Sequence, residues 1–183
     1  MHTGTIVGID PGSTNLGVGV LVIDLDTYQI VSTKAYTIHA DKSDLFKEVA
    51  ETHSDKFRRL KALEEHLLDA FNCYLPFLVA SEAPFYNRFR PNAYGVLVEV
   101  ISVIQNALWR YSEKIPLVTI DPPTVKKGIG ALKQKGKDPM REAMSKMTNL
   151  NIEQPLDDLD EHSIDAIAVA YSAYKQYLGE HLT

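Results

Sequence analysis

Two apolar runs separated by a Pro-Gly turn lie near the N-terminus, where residues 4–24 read GTIVGIDPGSTNLGVGVLVID. The first run, residues 4–10, is typical of a buried strand that ends at the turn. The second run, residues 16–24, predicts another strand. Residues 29–38 then alternate between apolar and polar types, which predicts a third strand after a short turn. Three neighbouring strands with short turns indicate an antiparallel meander.

The spacing of apolar residues changes from strand-like to helical after the meander. The elements predicted there are, in chain order, a helix with apolar residues at Ala50, Phe57, Leu60, Leu63 and Leu67, a strand over 75–82, a helix over 92–112, a strand over 117–120, two short helices of which the second covers about 138–147, and a final helix over 160–178. Strands joined through crossover helices pair in parallel. The order therefore predicts an α/β fold with a five-stranded mixed sheet, three strands antiparallel and two parallel, and helices on its faces.

Length and composition restrict the class of protein. The 183 residues suffice for one domain with a sizeable core but are short for two, so residues 1–183 are expected to form a single domain. No apolar run reaches the roughly 18 residues that a membrane helix needs, and the N-terminus lacks the basic region of a signal peptide. The single cysteine, Cys73, cannot form an internal disulfide, which fits a cytoplasmic setting. We expect Cys73 to be a small buried residue.

The charge distribution matters more than the net charge of −5, which on its own argues against a nucleic-acid partner. Residues 122–137 contain five lysines and no acid, whereas residues 157–161 contain four acids and no base. This separation predicts a basic surface near an acidic pocket.

Two carboxylates end predicted strands, at Asp10 and Glu82, and both follow strongly apolar runs. In a mixed α/β sheet, ligand sites gather at the carboxyl ends of parallel strands, so the two side chains are expected to meet at one sheet edge. A carboxylate next to a buried strand is costly unless a cation neutralises it. Simpler explanations are a turn at Asp10, since Asp-Pro-Gly is a common turn, and a Glu82 that faces water.

The final predicted helix supplies two further candidates, His162 and Asp165, which are three residues apart and so share one face. Asp158 is expected on the same face. The acids at 157–161 also fit a simpler role, because acids near a helix N-terminus cap it and favour its dipole. Asp165 lies past the first turn of an apolar helix, which the capping role does not explain. Oxygen-rich sites with one imidazole suit Mg²⁺ or Mn²⁺, and carboxylates from several elements can hold two such ions about 4 Å apart for phosphodiester hydrolysis.

Three motifs in this chain resemble those of the RuvC family of Holliday junction resolvases. They are residues 8–13, GIDPGS, followed by Gly17 and Gly19; residues 81–85, SEAPF; and residues 162–168, HSIDAIA. The resemblance spans nearly the whole chain. It implies an RNase H-like fold, a homodimer and Mg²⁺-dependent nicking of two opposed strands at a four-way DNA junction.

Carried over residue by residue, the resemblance assigns Asp10, Glu82, His162 and Asp165 as metal ligands. Lys126 resembles a family lysine near the scissile phosphate, so it joins the catalytic candidates, and Lys137 is a candidate for a second such lysine. The resemblance implies that Phe85 stacks on unpaired bases near the crossover. Branch-migration proteins are conceivable partners, but no pattern in the sequence identifies them.

The segment 85–91 departs from the bacterial enzymes, since it is richer in aromatic residues and arginine. This departure and the acidic overall charge favour a divergent branch, viral or from a phage, and a bacterial cell or phage-infected host as the setting. Aromatic rings and arginines directly after a catalytic strand can stack on bases and contact phosphates, and lysines can hold the backbone. The candidates for this DNA surface are Phe85, Tyr86, Arg88, Arg90, Lys126, Lys127, Lys133, Lys135 and Lys137. The alternatives are that Phe85 or Phe89 packs into the core and that the lysines form an ordinary solvated loop.

Other functions share parts of this pattern. The turn at 10–17 resembles the phosphate-binding turn of sugar kinases and actin-like ATPases, but those proteins need two such domains. A junction-binding protein without activity could have the same fold. A related nuclease that cuts flaps, replication forks or RNA–DNA hybrids could have the same metal site, because loops set the substrate. The apolar surface of the 92–112 helix is the candidate dimer interface, and burial within its own subunit is the alternative.

Overall fold

The computed structural model describes residues 2–86, 88, 91–133 and 138–181, apart from the side chains of 91 and 133. The strands are β1 (Thr3–Asp10), β2 (Asn15–Asp24), β3 (Ile30–His39), β4 (Leu78–Glu82) and β5 (Leu117–Ile120). The α-helices are α1 (Lys47–Thr52), α2 (Asp55–Tyr74), α3 (Pro91–Tyr111), α4 (Pro122–Gly128), α5 (Pro139–Ser145) and α6 (Glu161–His181). Two single turns of 3₁₀-helix cover Ala131–Lys133 and Leu156–Asp158.

The five strands form one mixed sheet in the order β3-β2-β1-β4-β5. The first three strands are antiparallel neighbours, as predicted from the short turns between them. The strand β4 pairs in parallel with β1, and β5 pairs in parallel with β4. The predicted sheet of three antiparallel and two parallel strands is therefore confirmed, and the carboxyl ends of β1, β4 and β5 lie at the same edge.

Helices cover both faces of the sheet. Alternate residues of each strand point to opposite faces, so β1 sends Ile6 to one cluster and Val7 to the other. The first cluster contains apolar residues of α4, α5 and α6, and the second contains apolar residues of α2 and α3. Among the helices of the described residues, none is long and apolar enough to cross a membrane.

The boundary between α2 and β4 differs from the sequence-based prediction. The helix continues to Tyr74 and ends at Leu75, whose backbone is left-handed (φ 50°, ψ 54°), so the strand begins at Leu78 rather than at 75. The expectation that Cys73 is buried was wrong, because this side chain is exposed near the end of α2. The buried positions in this last turn are Ala70 and Phe71, which leaves Cys73 on the outer side of the helix.

Candidate active site

Strand alternation places Asp10 and Glu82 on the same face of the sheet. In β1, Ile6 packs in the cluster that includes α6, and Asp10 follows four residues later on the same side. In β4, Ala80 packs in that cluster, so Glu82 also points to the α6 side. The parallel register pairs Ile9 with Ser81, which sets the two carboxylates at adjacent strand ends. The sequence-based expectation that they meet at one edge is therefore met by the structure.

Three glycines allow α6 to lie unusually close to this face. A Cβ at Gly8 would lie 2.2 Å from the backbone nitrogen of Ala170, and one at Gly17 would lie 2.0 Å from the carbonyl oxygen of His162. A Cβ at Gly19 would lie 2.6 Å from the backbone of Ala166. Real Cβ atoms do not approach other atoms this closely, so only glycine fits at these positions. The glycines that carry part of the first motif therefore set the distance between α6 and the strand ends.

The close packing of α6 brings His162 against Asp10. The Nδ1 of His162 donates a hydrogen bond of 2.7 Å to Oδ2 of Asp10, across 152 residues of sequence. Gly17 pairs with Asp10 across β1 and β2, and the same glycine lies beneath the carbonyl of His162. The hydrogen bond to Asp10 raises the pKa of His162 above its ordinary value despite partial burial. The motifs placed these two residues in one site, but no feature of the sequence indicated this direct contact.

Burial and mutual repulsion raise the pKa of the other two carboxyl groups. The pKa of Glu82 is raised to about 7, first by burial and then by the charges of Asp10 and Asp165. The pKa of Asp165 is also raised to about 7, by burial and by Asp10, while His162 lowers it. Carboxylates held in this way are destabilised as anions and gain free energy when a cation neutralises them.

Lys126 supplies positive charge beside this cluster. It lies in α4, which starts directly after β5 with Asp121 as its N-cap, where Asp121 Oδ2 accepts a 3.0 Å hydrogen bond from the backbone of Thr124. The Lys126 ammonium lowers the pKa of both Glu82 and Asp165, which means that it reaches the neighbourhood of both groups. The structure therefore places all five predicted catalytic candidates together.

The donor set suits a divalent cation. Three carboxylates and one imidazole are the ligands that Mg²⁺ or Mn²⁺ accepts in proteins. Among the described residues, no three acidic, histidine or cysteine side chains are grouped so as to hold a metal ion as they stand. The donor atoms suit a divalent cation, but the side chains would have to move to coordinate one.

The other acids before α6 have a structural role. Asp160 Oδ1 accepts hydrogen bonds from the backbone of Ser163 (2.8 Å) and from the hydroxyl of Thr37 (2.6 Å), so Asp160 caps α6 and ties it to β3. The expectation that Asp158 shares the face of His162 was wrong. Asp158 belongs to the separate 3₁₀ turn at Leu156–Asp158, because the extended backbone of Leu159 (φ −86°, ψ 137°) separates this turn from α6.

The predicted DNA surface is described in part. Phe85 is 62% exposed and Tyr86 is 59% exposed, so the alternative that Phe85 packs into the core was wrong. The rings of Tyr86 and Tyr94 meet edge to face with 5.8 Å between their centroids. Phe85 also lines a small cavity of about 130 Å³ together with Asp10 and Glu82, which connects the aromatic segment to the acid cluster.

The structure describes some of the basic candidates for the DNA surface and not others. Lys126 and Lys127 are exposed on α4, and Arg88 lies in a turn beyond the aromatic pair. The backbone of Lys133 lies in the 3₁₀ turn at Ala131–Lys133. Three further candidates, Arg90, Lys135 and Lys137, lie outside the described residues.

The mixed five-stranded sheet with helices on both faces has the architecture of the RNase H-like fold, with acids at the carboxyl ends of β1 and β4 and on the final helix. No protein-family model matches the chain. Solved structures similar to the chain include T. thermophilus RuvC in complex with Holliday junction substrate, with a TM-score of 0.66 at 21% identity over 96% of both chains. The yeast mitochondrial Holliday junction resolvase Ydc2 gives a TM-score of 0.61 at 13% identity, covering 96% of this chain and 80% of that one. These likenesses confirm the RNase H-like fold.

Curated relatives identify the family that the chain resembles. The crossover junction endodeoxyribonuclease RuvC of Synechococcus sp. (strain CC9605) is 29% identical over 171 residues, which is 93% of this chain and 98% of the relative. The enzyme of the same name from Bacteroides fragilis is 26% identical over 171 residues, or 93% of this chain and 82% of the relative. The chain is thus similar to the RuvC family over nearly its whole length, which confirms the resemblance that its three motifs predicted.

Proposed function

We propose that this protein is a metal-dependent Holliday junction resolvase that makes paired nicks in four-way DNA junctions. The observation that carries the proposal is the acid cluster. Glu82 and Asp165 both have a pKa near 7 because they are buried beside Asp10, and Lys126 lies within electrostatic reach of both. The similarity to relatives named crossover junction endodeoxyribonuclease supports the activity and its substrate.

Each residue has a defined task in this proposal. Asp10, Glu82, His162 and Asp165 hold divalent cations, Mg²⁺ or Mn²⁺ and two per site, which when bound would activate water and stabilise the leaving 3′ oxygen. Lys126 attracts the scissile phosphate to the site and balances its negative charge. His162 is able to hold or move a proton at Nδ1, since its hydrogen bond to Asp10 raises its pKa.

The aromatic segment gives the reason to choose branched DNA. Phe85 and Tyr86 are exposed next to the acid cluster, where they are positioned to stack on bases that a continuous duplex would keep paired. Contacts with the DNA backbone would come from Arg88, Arg90, Lys126, Lys127, Lys133, Lys135 and Lys137. A related nuclease that acts on flaps or forks would share the metal site but need different contacts here.

We also propose that residues 1–183 form a single nuclease domain and that two copies assemble into a homodimer, because paired nicks need two active sites related by a two-fold axis. The outward face of α3 is the proposed interface. Tyr94, Val98 and Trp109 are 38%, 41% and 65% exposed, and their spacing places them along one stripe about 22 Å long. A cytoplasmic location, in a bacterium or a phage-infected host, stays a prediction.

A junction-cutting assay tests the activity. The protein is incubated with labelled four-way junctions, flaps, forks and RNA–DNA hybrids, with Mg²⁺ or with EDTA. Symmetric nicks in the junction are expected with Mg²⁺ only. Asp10→Asn is expected to abolish cutting and leave junction binding nearly intact, whereas Asp157→Asn, an exposed acid outside the cluster, should cut normally. Equal or faster cutting of flaps would argue for the related nuclease, and binding without cutting by the unaltered protein would argue for a silent junction binder.

The fluorescence of Trp109 tests the dimer, because it is the single tryptophan of the chain. Dimerisation through α3 should bury this side chain and shift its emission to shorter wavelength, and dilution should reverse the shift. Trp109→Lys should give a monomer in light scattering. Leu75→Lys, at a site that is 67% exposed, is the matched control and should leave the dimer intact. A dimer that survives Trp109→Lys and Val98→Lys would place the interface elsewhere.

A further inference from the structure

A cavity of about 320 Å³ lies between α4 and α6, outside the acid cluster. Its lining residues are Thr124, Lys127, Gly128, Ser172, Lys175 and Gln176. We call this cavity the α4–α6 groove. Only Lys127 among these residues was singled out from the sequence, and the resemblance assigns no role to the others.

The hydroxyl of Ser172 lacks a hydrogen-bond partner although it is buried. Ser172 is 4% exposed, and its Oγ has no donor or acceptor within reach among the described residues. An unpaired buried hydroxyl is unfavourable by about 1–3 kcal/mol, so such groups in native proteins commonly serve a ligand or an ordered water. Gly128 faces this hydroxyl, and a Cβ at that position would lie 2.7 Å from Oγ. The backbone of Gly128 therefore packs directly against this hydroxyl, which is buried beside the groove.

Two lysines give the groove a positive charge in an otherwise acidic protein. Lys127 on α4 and Lys175 on α6 are both exposed, and neither forms an ion pair within the described part of the chain. Glu180 lines a neighbouring cavity that shares Gln176 with the groove. Two unpaired ammonium groups, a hydroxyl and an amide form a donor-rich site, which suits a phosphate group.

The distance from the acid cluster fits one strand of a duplex. Asp165 and Lys175 lie on the same helix, and ten residues of α-helix span about 15 Å. Phosphates of one strand follow a helical path, so their direct separation exceeds the axial rise of about 3.4 Å per step, and about 15 Å corresponds to about two or three nucleotides along the strand. On α4, Lys126 and Lys127 are consecutive, and the first reaches the acid cluster while the second lines the groove. A single DNA strand that follows α4 could therefore contact both sites.

We propose that the α4–α6 groove binds a backbone phosphate of the duplex arm that leaves the active site, about two or three nucleotides from the phosphate that is cut. Lys127 and Lys175 supply the charge, and Ser172 donates its unpaired hydroxyl to a phosphate oxygen once Gly128, which covers it, is displaced. This inference rests on the proposed function, because it needs a DNA arm seated at the acid cluster. It adds a contact that fixes the arm's direction over α6.

Salt dependence of junction binding tests the charge. Dissociation constants are measured for the full-length protein in EDTA over a series of salt concentrations. Lys175→Ala is expected to weaken binding about five- to tenfold and to reduce the slope of log K against log salt by about one. Lys114→Ala, which removes an exposed lysine beyond α3, is the matched control and should change neither quantity.

Phosphate substitution tests the position. Neutral methylphosphonate linkages are placed one at a time along the arm, from the second to the seventh step beyond the cut. One linkage at about the second or third step should weaken binding by the unaltered protein and have no further effect on Lys175→Ala. Ser172→Ala should weaken junction binding without lowering the melting temperature of the free protein, because the hydroxyl has no partner to lose.

Four results would overturn the inference. Junction affinity and salt slope could be unchanged in Lys175→Ala while the unaltered protein binds normally. The methylphosphonate scan could reveal no position coupled to Lys175. Calorimetry could detect saturable binding of inorganic phosphate to the unaltered protein that is lost in Lys175→Ala. If junction binding by that variant were normal, the groove would be a site for a small anion. An unaltered protein that binds no junction at all would overturn the proposed function together with this inference.

Discussion

Replacement of Gly17 by alanine tests whether the packing of α6 sets the active-site geometry. The added Cβ would lie 2.0 Å from the carbonyl oxygen of His162 and 2.6 Å from its carbonyl carbon. Since Cβ atoms essentially never approach closer than 3.0 Å, the helix must move away from the sheet by at least about 1 Å at this point. The obstacle is main-chain carbonyl, so no truncation of a side chain on α6 would relieve it.

The movement separates two groups of ligands. Asp10 pairs with Gly17 on the sheet, whereas His162 and Asp165 travel with the helix. A misplacement of about 1 Å at a reacting centre can lower the rate about 100-fold, and overpacking of a close-packed interface lowers the free energy of unfolding by about 1–3 kcal/mol. We therefore expect Gly17→Ala to fold with a reduced melting temperature, to bind the junction within a few-fold of normal and to cut it about 100-fold more slowly.

The assay is single-turnover cutting of a four-way junction with Mg²⁺, together with thermal unfolding and equilibrium binding. Gly179→Ala is the matched control, because it makes the same substitution in α6 where an added Cβ meets no described residue within 4 Å. It should cut normally and be as stable as the unaltered protein or more so by up to about 1 kcal/mol. Normal cutting and normal stability in Gly17→Ala would refute the packing argument. Slow cutting that Ala166→Gly restores would also refute it, since the obstacle would then be a side chain.

Two further predictions concern the acid cluster and the aromatic segment. Because the pKa of Glu82 is raised to about 7, its ionisation destabilises the fold as pH rises from about 4.5 to 7. In EDTA, Glu82→Gln should therefore become more stable than the unaltered protein as pH rises over this range, and the difference should reach about 1–3 kcal/mol above pH 7. Chemical unfolding at several pH values measures this difference. A difference that does not change with pH would contradict the raised pKa of Glu82. Phe85→Ala should weaken binding to the four-way junction by about 1–3 kcal/mol. The same variant should bind continuous duplex DNA as tightly as the unaltered protein does. An equal loss on both substrates, or a loss of stability larger than about 0.5 kcal/mol at this exposed site, would contradict a stacking role.

Local sequence was sufficient to predict the strands and the helices on which the candidate residues lie. Apolar runs and turns indicate element type, and parallel strands end at the same edge of a sheet, so the positions of Asp10 and Glu82 at strand ends predicted that they would meet at one edge if the two strands are neighbours. Their positions in β1 and β4 agree with that prediction. The three-residue spacing of His162 and Asp165 likewise predicted that they share one face, because an α-helix fixes which side chains lie together.

Helix ends were less predictable, because the capping geometry that sets them depends on contacts made elsewhere. Leu75 ends α2 in a left-handed conformation, and no local pattern marked a leucine for that role. Asp158 falls outside α6 because the chain forms a separate turn before Asp160 caps the helix and bonds to Thr37 on β3. Cys73 was expected inside because of its residue type, whereas its rotational position on α2 leaves it exposed.

The sequence by itself determined the kind of fold, the motifs and the residues that carry the acidic charge. Only the tertiary structure decided how near those residues lie to one another. The hydrogen bond between His162 and Asp10, the raised pKa of Glu82 and the unpaired hydroxyl of Ser172 all follow from how α6 packs, against the strands in the first two cases and against α4 in the third. The physical reason is that spacing along a helix or strand encodes direction, whereas the separation of segments about 150 residues apart is set by close packing, here by the absence of a side chain at Gly17.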